Sequence, residues 1–152
     1  MAATAWTFYN DFKRYMGDAT IDMDGTTFDM HLFTSAAVTQ VSTSVISTLG
    51  SLTSEVANAN GYLQSGKSMN TTWTTGASAG QMRFDSSPVI WTAGGGTISN
   101  IKFAVIVARN TSGKNAANKL VAWSRLTTAK IDLTTGNTLT VTPAATGIFE
   151  MA

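Results

Sequence analysis

The sequence has no cysteine, one histidine, two prolines and few charges, which make up 12% of its 152 residues. Without cysteine there is no thiol nucleophile, thiolate metal site or disulfide framework, and the redox compartment leaves no mark. A single histidine, His31, leaves no His-rich metal site, and neither a metal nor a cofactor is expected. The longest unbroken apolar run, Phe103 to Ala108, falls far short of the roughly 20 residues that span a bilayer. No basic region followed by an apolar core opens the chain. It therefore reads as a soluble protein without an export signal and without a membrane partner. The ten Lys and Arg are scattered singly rather than gathered into a stripe, so nucleic acid is not an expected partner either.

What is present is small and hydroxylated: 25 Thr, 14 Ser and 13 Gly beside a 43% hydrophobic fraction. A chain of this length fits one domain, 1–152, and by surface scaling about two-thirds of its unfolded surface can be buried in one core. Net charge is +1, but residues 1–75 carry three basic and six acidic side chains, against seven and three in residues 76–152. Strands from the two halves are expected to interleave and cancel that asymmetry.

Ala5, Phe8, Tyr9, Phe12, Tyr15 and Met16 recur at spacings of three and four, which predicts an amphipathic helix over 5–16, with Thr4 as cap and Gly17 as terminator. Trp6, Phe8, Tyr9 and Phe12 make its face unusually aromatic, so that face needs a cover, either the chain's own sheet or a neighbouring subunit. The β domain then runs over about 20–150. Ile21–Met23 and Thr27–Leu32 flank Asp24-Gly25, a pairing suited to a tight hairpin with Phe28, Met30 and Leu32 on one face. His31 falls on the other face with Asp29, where an exposed or hydrogen-bonded role is expected.

From Ala36 to Asn60, Val38, Val41, Val45, Leu49, Leu52 and Val56 keep a helical period. β-Branched residues, serines and Gly50 oppose it, so a short helix or a long ordered loop is expected. Strand patterns follow at Ser68–Thr74, Gln81–Asp85, Val89–Thr92, Ile98–Arg109, Leu120–Leu126 and Thr138–Thr142. Turn clusters separate them at Gly94–Gly96, Ser112–Lys114 and Thr135–Asn137. Ile98–Arg109 is apolar on both faces, with Ile101, Phe103, Val105 and Val107 opposite Ala104, Ile106 and Ala108, which marks a central strand. The fold class is mainly β: an antiparallel sandwich or barrel with an N-terminal helix and one short helix or long loop.

Motifs for chemistry are weak. Gly76-Ala77-Ser78-Ala79-Gly80 has the spacing of a nucleophile elbow, but a strand rather than a helix follows it. Asp18, Asp22, Asp24 and Asp29 cluster without the further oxygen ligands and terminal glutamate of a calcium loop. Gly94–Gly96 lacks the lysine and helix of a phosphate loop, and the sequons at Asn70 and Asn110 are read as chance matches. Trp73, Trp91 and Trp123 suit sugar stacking but sit inside strand patterns, where sheet packing is the usual use.

Several pieces in order, "FYNDFKRYMGDATIDMDGTTFDMHLFTS", "EVANANGYLQSGKSM", "MRFDSSPVIWTAGGGTISNIKFAVIV", "KLVAW" and "TLTVTPAATGIFEM", cover most of the chain. Together they resemble a family of small structural proteins of tailed bacteriophages. The resemblance implies no enzyme activity and no catalytic residues. It implies a virion protein made in the host cytoplasm, most simply a capsid decoration or cement protein on the outer head surface. Its partners would be the major capsid protein and further copies of itself. A tail, tube or baseplate accessory role, a carbohydrate-binding attachment module and a serine or carboxylate hydrolase remain alternatives. The candidate contact residues are Trp6, Phe8, Tyr9 and Phe12 on the first helix, and Val38, Val41, Val45 and Leu49 in the excursion after the second strand.

Overall fold

The computed structural model describes residues 5–43, 45–109 and 118–151; the expected cap Thr4, the turn Ser112–Lys114 and the sequon at Asn110 lie outside them. Eleven strands and two α-helices are assigned in this part of the chain: β1 (Thr7–Phe8), α1 (Asn10–Gly17), β2 (Thr27–Thr34), α2 (Val38–Val41), β3 (Lys67–Ser68), β4 (Thr71–Thr75), β5 (Met82–Ser86), β6 (Val89–Thr92), β7 (Ile98–Arg109), β8 (Lys119–Arg125), β9 (Ile131–Leu133), β10 (Thr138–Val141) and β11 (Phe149–Met151). All the strand pairs are antiparallel. The main sheet runs β1-β8-β7-β2-β3, with β9 pairing the start of β7. Strands from the two halves of the chain therefore lie side by side. Two smaller sheets, β11-β5-β4 and β10-β6, complete a mainly β, sandwich-like fold.

The 12-residue β7 is central, as its two apolar faces demand. On one face Ala104, Ile106 and Ala108 join Phe28, Met30 and Leu32 of β2 under a lid made of α1 and the two small sheets, which contribute Phe12, Tyr15, Phe84, Trp91, Leu139 and Val141. On the other face Phe103, Val105 and Val107 join Phe33, and the segment after β2 covers them with Ala37, Val41 and Leu52. Each such large side chain contributes about 1.5–3 kcal/mol by leaving water.

Ile101 departs from the expected face. It packs with Ala104 and Ile106, because Phe33 pairs with Phe103 while Thr34 pairs with Ile101, leaving Lys102 as an extra residue. That bulge reverses the alternation. A matching irregularity in β8, where Val107 faces Leu120 and Ile106 faces Ala122, turns both Val121 and Ala122 to the first face.

Three local expectations are corrected. The helix does not run over 5–16: Thr7–Phe8 is an edge strand on β8, Tyr9 stands at the helix N-terminus, and α1 begins at Asn10. Trp6 and Phe8 satisfy a period of two as well as one of 3.6, and the hydrogen bonds offered by β8 decide the matter. Gly17 ends the helix, but the left-handed residue that follows is Ala19 (φ 58°). No hairpin forms at Asp24-Gly25. Ile21 is drawn into the core, and Asp22 closes a local turn by accepting from Asp24 N at 3.0 Å. The excursion yields only the four-residue α2, bracketed by 3-10 turns at Ser35–Ala37 and Leu49–Ser51, as its weak propensity requires.

His31 and Asp29 are both 2% exposed, so the second face of β2 is a sealed one. Arg109 Nε donates to Asp29 Oδ2 at 2.6 Å, and His31 meets Glu55. A Cβ at Gly66, which adopts φ +75°, would overlap the His31 ring, so this close approach requires glycine.

Two predictions follow from this packing. Ile106→Ala should lower unfolding free energy by about 2–5 kcal/mol in urea titrations, whereas exposed Ile90→Ala should stay within about 0.5 kcal/mol. Burial also pushes the Tyr9 and Tyr62 phenols far above their ordinary value of 10.0. The stability they supply is complete below pH 10 and is lost above it, because the unfolded chain ionises there first. Melting temperature should therefore fall as pH rises past 10, and fall less steeply in Tyr62→Phe.

Candidate functional site

The eight contact candidates separate by burial. Tyr9, Phe12 and Val41 are sealed inside, with Tyr9 Oη donating to Val41 O at 3.0 Å, so these three hold the protein's own layers together. Trp6, Phe8 and Leu49 are half-buried, while Val38 and Val45 are exposed, Val45 at 72%. Helical spacing identified apolar positions correctly but not which of them the chain would cover for itself.

Phe8 leads to a site that the sequence did not suggest as a whole. A groove of about 200 Å³ runs between α1 and β11, lined by Phe8, Phe12, Lys13, Met16, Phe149, Glu150 and Met151. Its floor is aromatic. Phe8 stacks on Phe12 with centroids 5.5 Å apart, and Phe149 meets both edge-on at 5.1 and 5.7 Å. Phe149 also contacts Trp73 and Phe84, and Phe84 reaches Phe28 of the main sheet at 4.9 Å. Pairs of this kind contribute about 0.5–1.5 kcal/mol each beyond area burial, so the rings hold one another in a continuous cluster.

β11 forms one wall. It pairs with β5 through Phe149↔Phe84 and Met151↔Met82, and among the described residues no strand lies on its other edge. Unpaired N–H and C=O groups beside an apolar floor are a template for an added strand, with side-chain pockets alongside. Lys13 lies beside the groove, Glu150 turns to the other face of β11 where its Oε1 accepts from Ala77 N at 3.3 Å, and Met151 is 42% exposed. The signal for β11 lay in Ile148-Phe149-Glu150-Met151, whose alternation is too short to separate from a loop by pattern alone.

The chemical motifs have structural uses. Gly76–Gly80 is the turn from β4 to β5, with Gly76 N donating to Gln81 O at 2.8 Å, so Ser78 does not stand on a strand-to-helix elbow. Asp18 accepts from Thr20 N, and that bonding to Thr20 holds its carboxyl below the usual range. Among the described residues no group of three acidic or histidine side chains converges on a cation site. Trp91 is buried, Trp73 belongs to the groove's aromatic cluster, and Trp123 packs on Phe103 across the main sheet, so the three rings share no platform.

The division between lining and core predicts a contrast. Phe12→Ala should cost about 3–5 kcal/mol of stability in denaturant unfolding, and Met151→Ala under about 0.5 kcal/mol, although both line the groove. No protein-family model, curated protein or solved structure matches this chain.

Proposed function

We propose that this chain is a non-enzymatic structural protein of a tailed-bacteriophage virion, a decoration or cement protein that binds the outer surface of the head and bridges major capsid subunits. The observation that carries the reading is the groove between α1 and β11: an aromatic floor beside a strand edge on which no described strand lies. Such a surface suits an extended segment of another protein. The main-chain edge supplies affinity, Phe8, Phe149 and Met151 supply apolar anchors, and Lys13 supplies a charge beside them. The resemblance of the ordered sequence pieces to small phage structural proteins favours the major capsid protein as partner, with copies of the same chain as neighbours.

The mechanism is linkage. A protein that binds only the assembled shell stabilises it by its binding free energy, and a bridge over two subunits gains further from effective concentration. A patch of about 800 Å² per partner is available from a folded surface of 7334 Å². The abundant short hydroxyl side chains lose little rotamer entropy when they are ordered in a contact. A sugar-binding role finds less support, because Trp73, Trp91 and Trp123 point to three different surroundings.

Cryo-electron microscopy of purified particles tests the reading: copies repeated over the head at every capsomer are expected, and density confined to the tail would reject the cement role in favour of a tail accessory. Particles lacking the protein should rupture at lower temperature than complete ones. Met151→Asp should reduce occupancy on the shell while leaving the isolated protein's melting temperature within a few degrees. Undiminished occupancy would remove the groove from the contact.

A further inference from the structure

Where β2 ends and β7 begins, a cavity of about 280 Å³ opens between Thr34, the segment 55–60 and residues 97–100. The carboxylate of Glu55 lies in its wall, half-buried, with a side-chain exposure of 15%. Its Oε1 accepts from two buried donors, Tyr62 Oη at 2.6 Å and His31 Nδ1 at 2.8 Å. Tyr62 Oη in turn accepts from Leu32 N at 2.9 Å, and its one hydrogen goes to Glu55 at 2.6 Å rather than to Leu32 O at 3.4 Å. The same logic places a hydrogen on His31 Nδ1, because an ionised carboxylate only accepts. Oε1 is thus satisfied from the protein interior. Oε2 takes no hydrogen bond from the described residues.

The rest of the wall defines what that oxygen can receive. Val56 and Ile98 are buried beneath it, so the apolar surface comes from Ala57 and Ala59, while Asn60, Asn100, Thr34, Thr97 and Ser99 supply neutral polar groups. There is no aromatic ring for stacking a sugar, and a divalent cation requires more carboxylate oxygens than Glu55 offers. Anions are repelled. Asn100 Oδ1 is already occupied, accepting from Lys130 Nζ at 3.0 Å beside Asp132. Asn60 Nδ2 donates to Thr97 O at 2.8 Å, so its Oδ1 is the atom left for an incoming donor.

We propose that this cavity binds a primary ammonium group on a short alkyl stem, either a free amine or a lysine side chain of another protein. One ammonium hydrogen goes to Glu55 Oε2, the others go to neutral oxygens of the wall, and the stem lies on Ala57 and Ala59. His31 and Tyr62 are positioning residues that hold the carboxylate toward the opening.

Backbone amide NMR of the full chain during titration with n-butylammonium, 1-butanol and Nα-acetyl-lysine amide tests the proposal. Saturable shifts confined to residues 55–60 and 97–100 are expected with n-butylammonium, with a dissociation constant on the order of 1–10 mM, as befits so small a ligand. Binding by 1-butanol should be at least about tenfold weaker, and Glu55→Gln, whose amide oxygen still accepts from His31 and Tyr62, should weaken the amine by a similar factor. Tighter binding of the lysine amide than of n-butylammonium assigns the site to a protein partner; the reverse assigns it to a free amine. Equal binding of butanol and amine by the unaltered protein overturns the proposal without recourse to any variant. So does an absence of saturable shifts, or an unchanged affinity in folded Glu55→Gln.

Discussion

A strand that is apolar on both faces has to be covered twice, and the architecture follows from how β7 meets that requirement. One cover is made of strands: β4, β5 and β11 with β6 and β10, closed by α1. The other is made of the poorly helical segment after β2, which needs only Ala37, Val41 and Leu52 at the right places and can remain mostly irregular. A segment with weak propensity is adequate there because tertiary packing, not local preference, fixes its path.

Where the pattern was long, it was legible. Val89–Thr92 and Ile98–Arg109 stand as strands with the boundaries read from the sequence, because turn residues flank them and apolar side chains fill them. Short elements were not legible. β1, β9 and β11 have two or three residues each and exist because a neighbouring strand offers hydrogen bonds, which no local pattern records. The extra residue Lys102 likewise has no signature of its own, yet it moves Ile101 across the sheet.

The candidate sites show the same division. Aromatic content near the start of the chain pointed to Phe8 and Phe12, but the groove they help to form needs Phe149 from the other end, and that meeting is a product of topology. Glu55, within a stretch of small residues, carried no sequence signal at all. Its setting comes from His31 and Tyr62, 24 residues before it and 7 after it, brought together by the edge of β2.

The step from Phe8 to Tyr9 sends adjacent rings to opposite sides of the main sheet, one into the layer with Phe149 and the other against Val41. A few residues at the edge thus clasp both layers at once, with Tyr9 N tied to Val121 O. Peeling this edge away would expose part of each layer at once, so the two layers are coupled at this point.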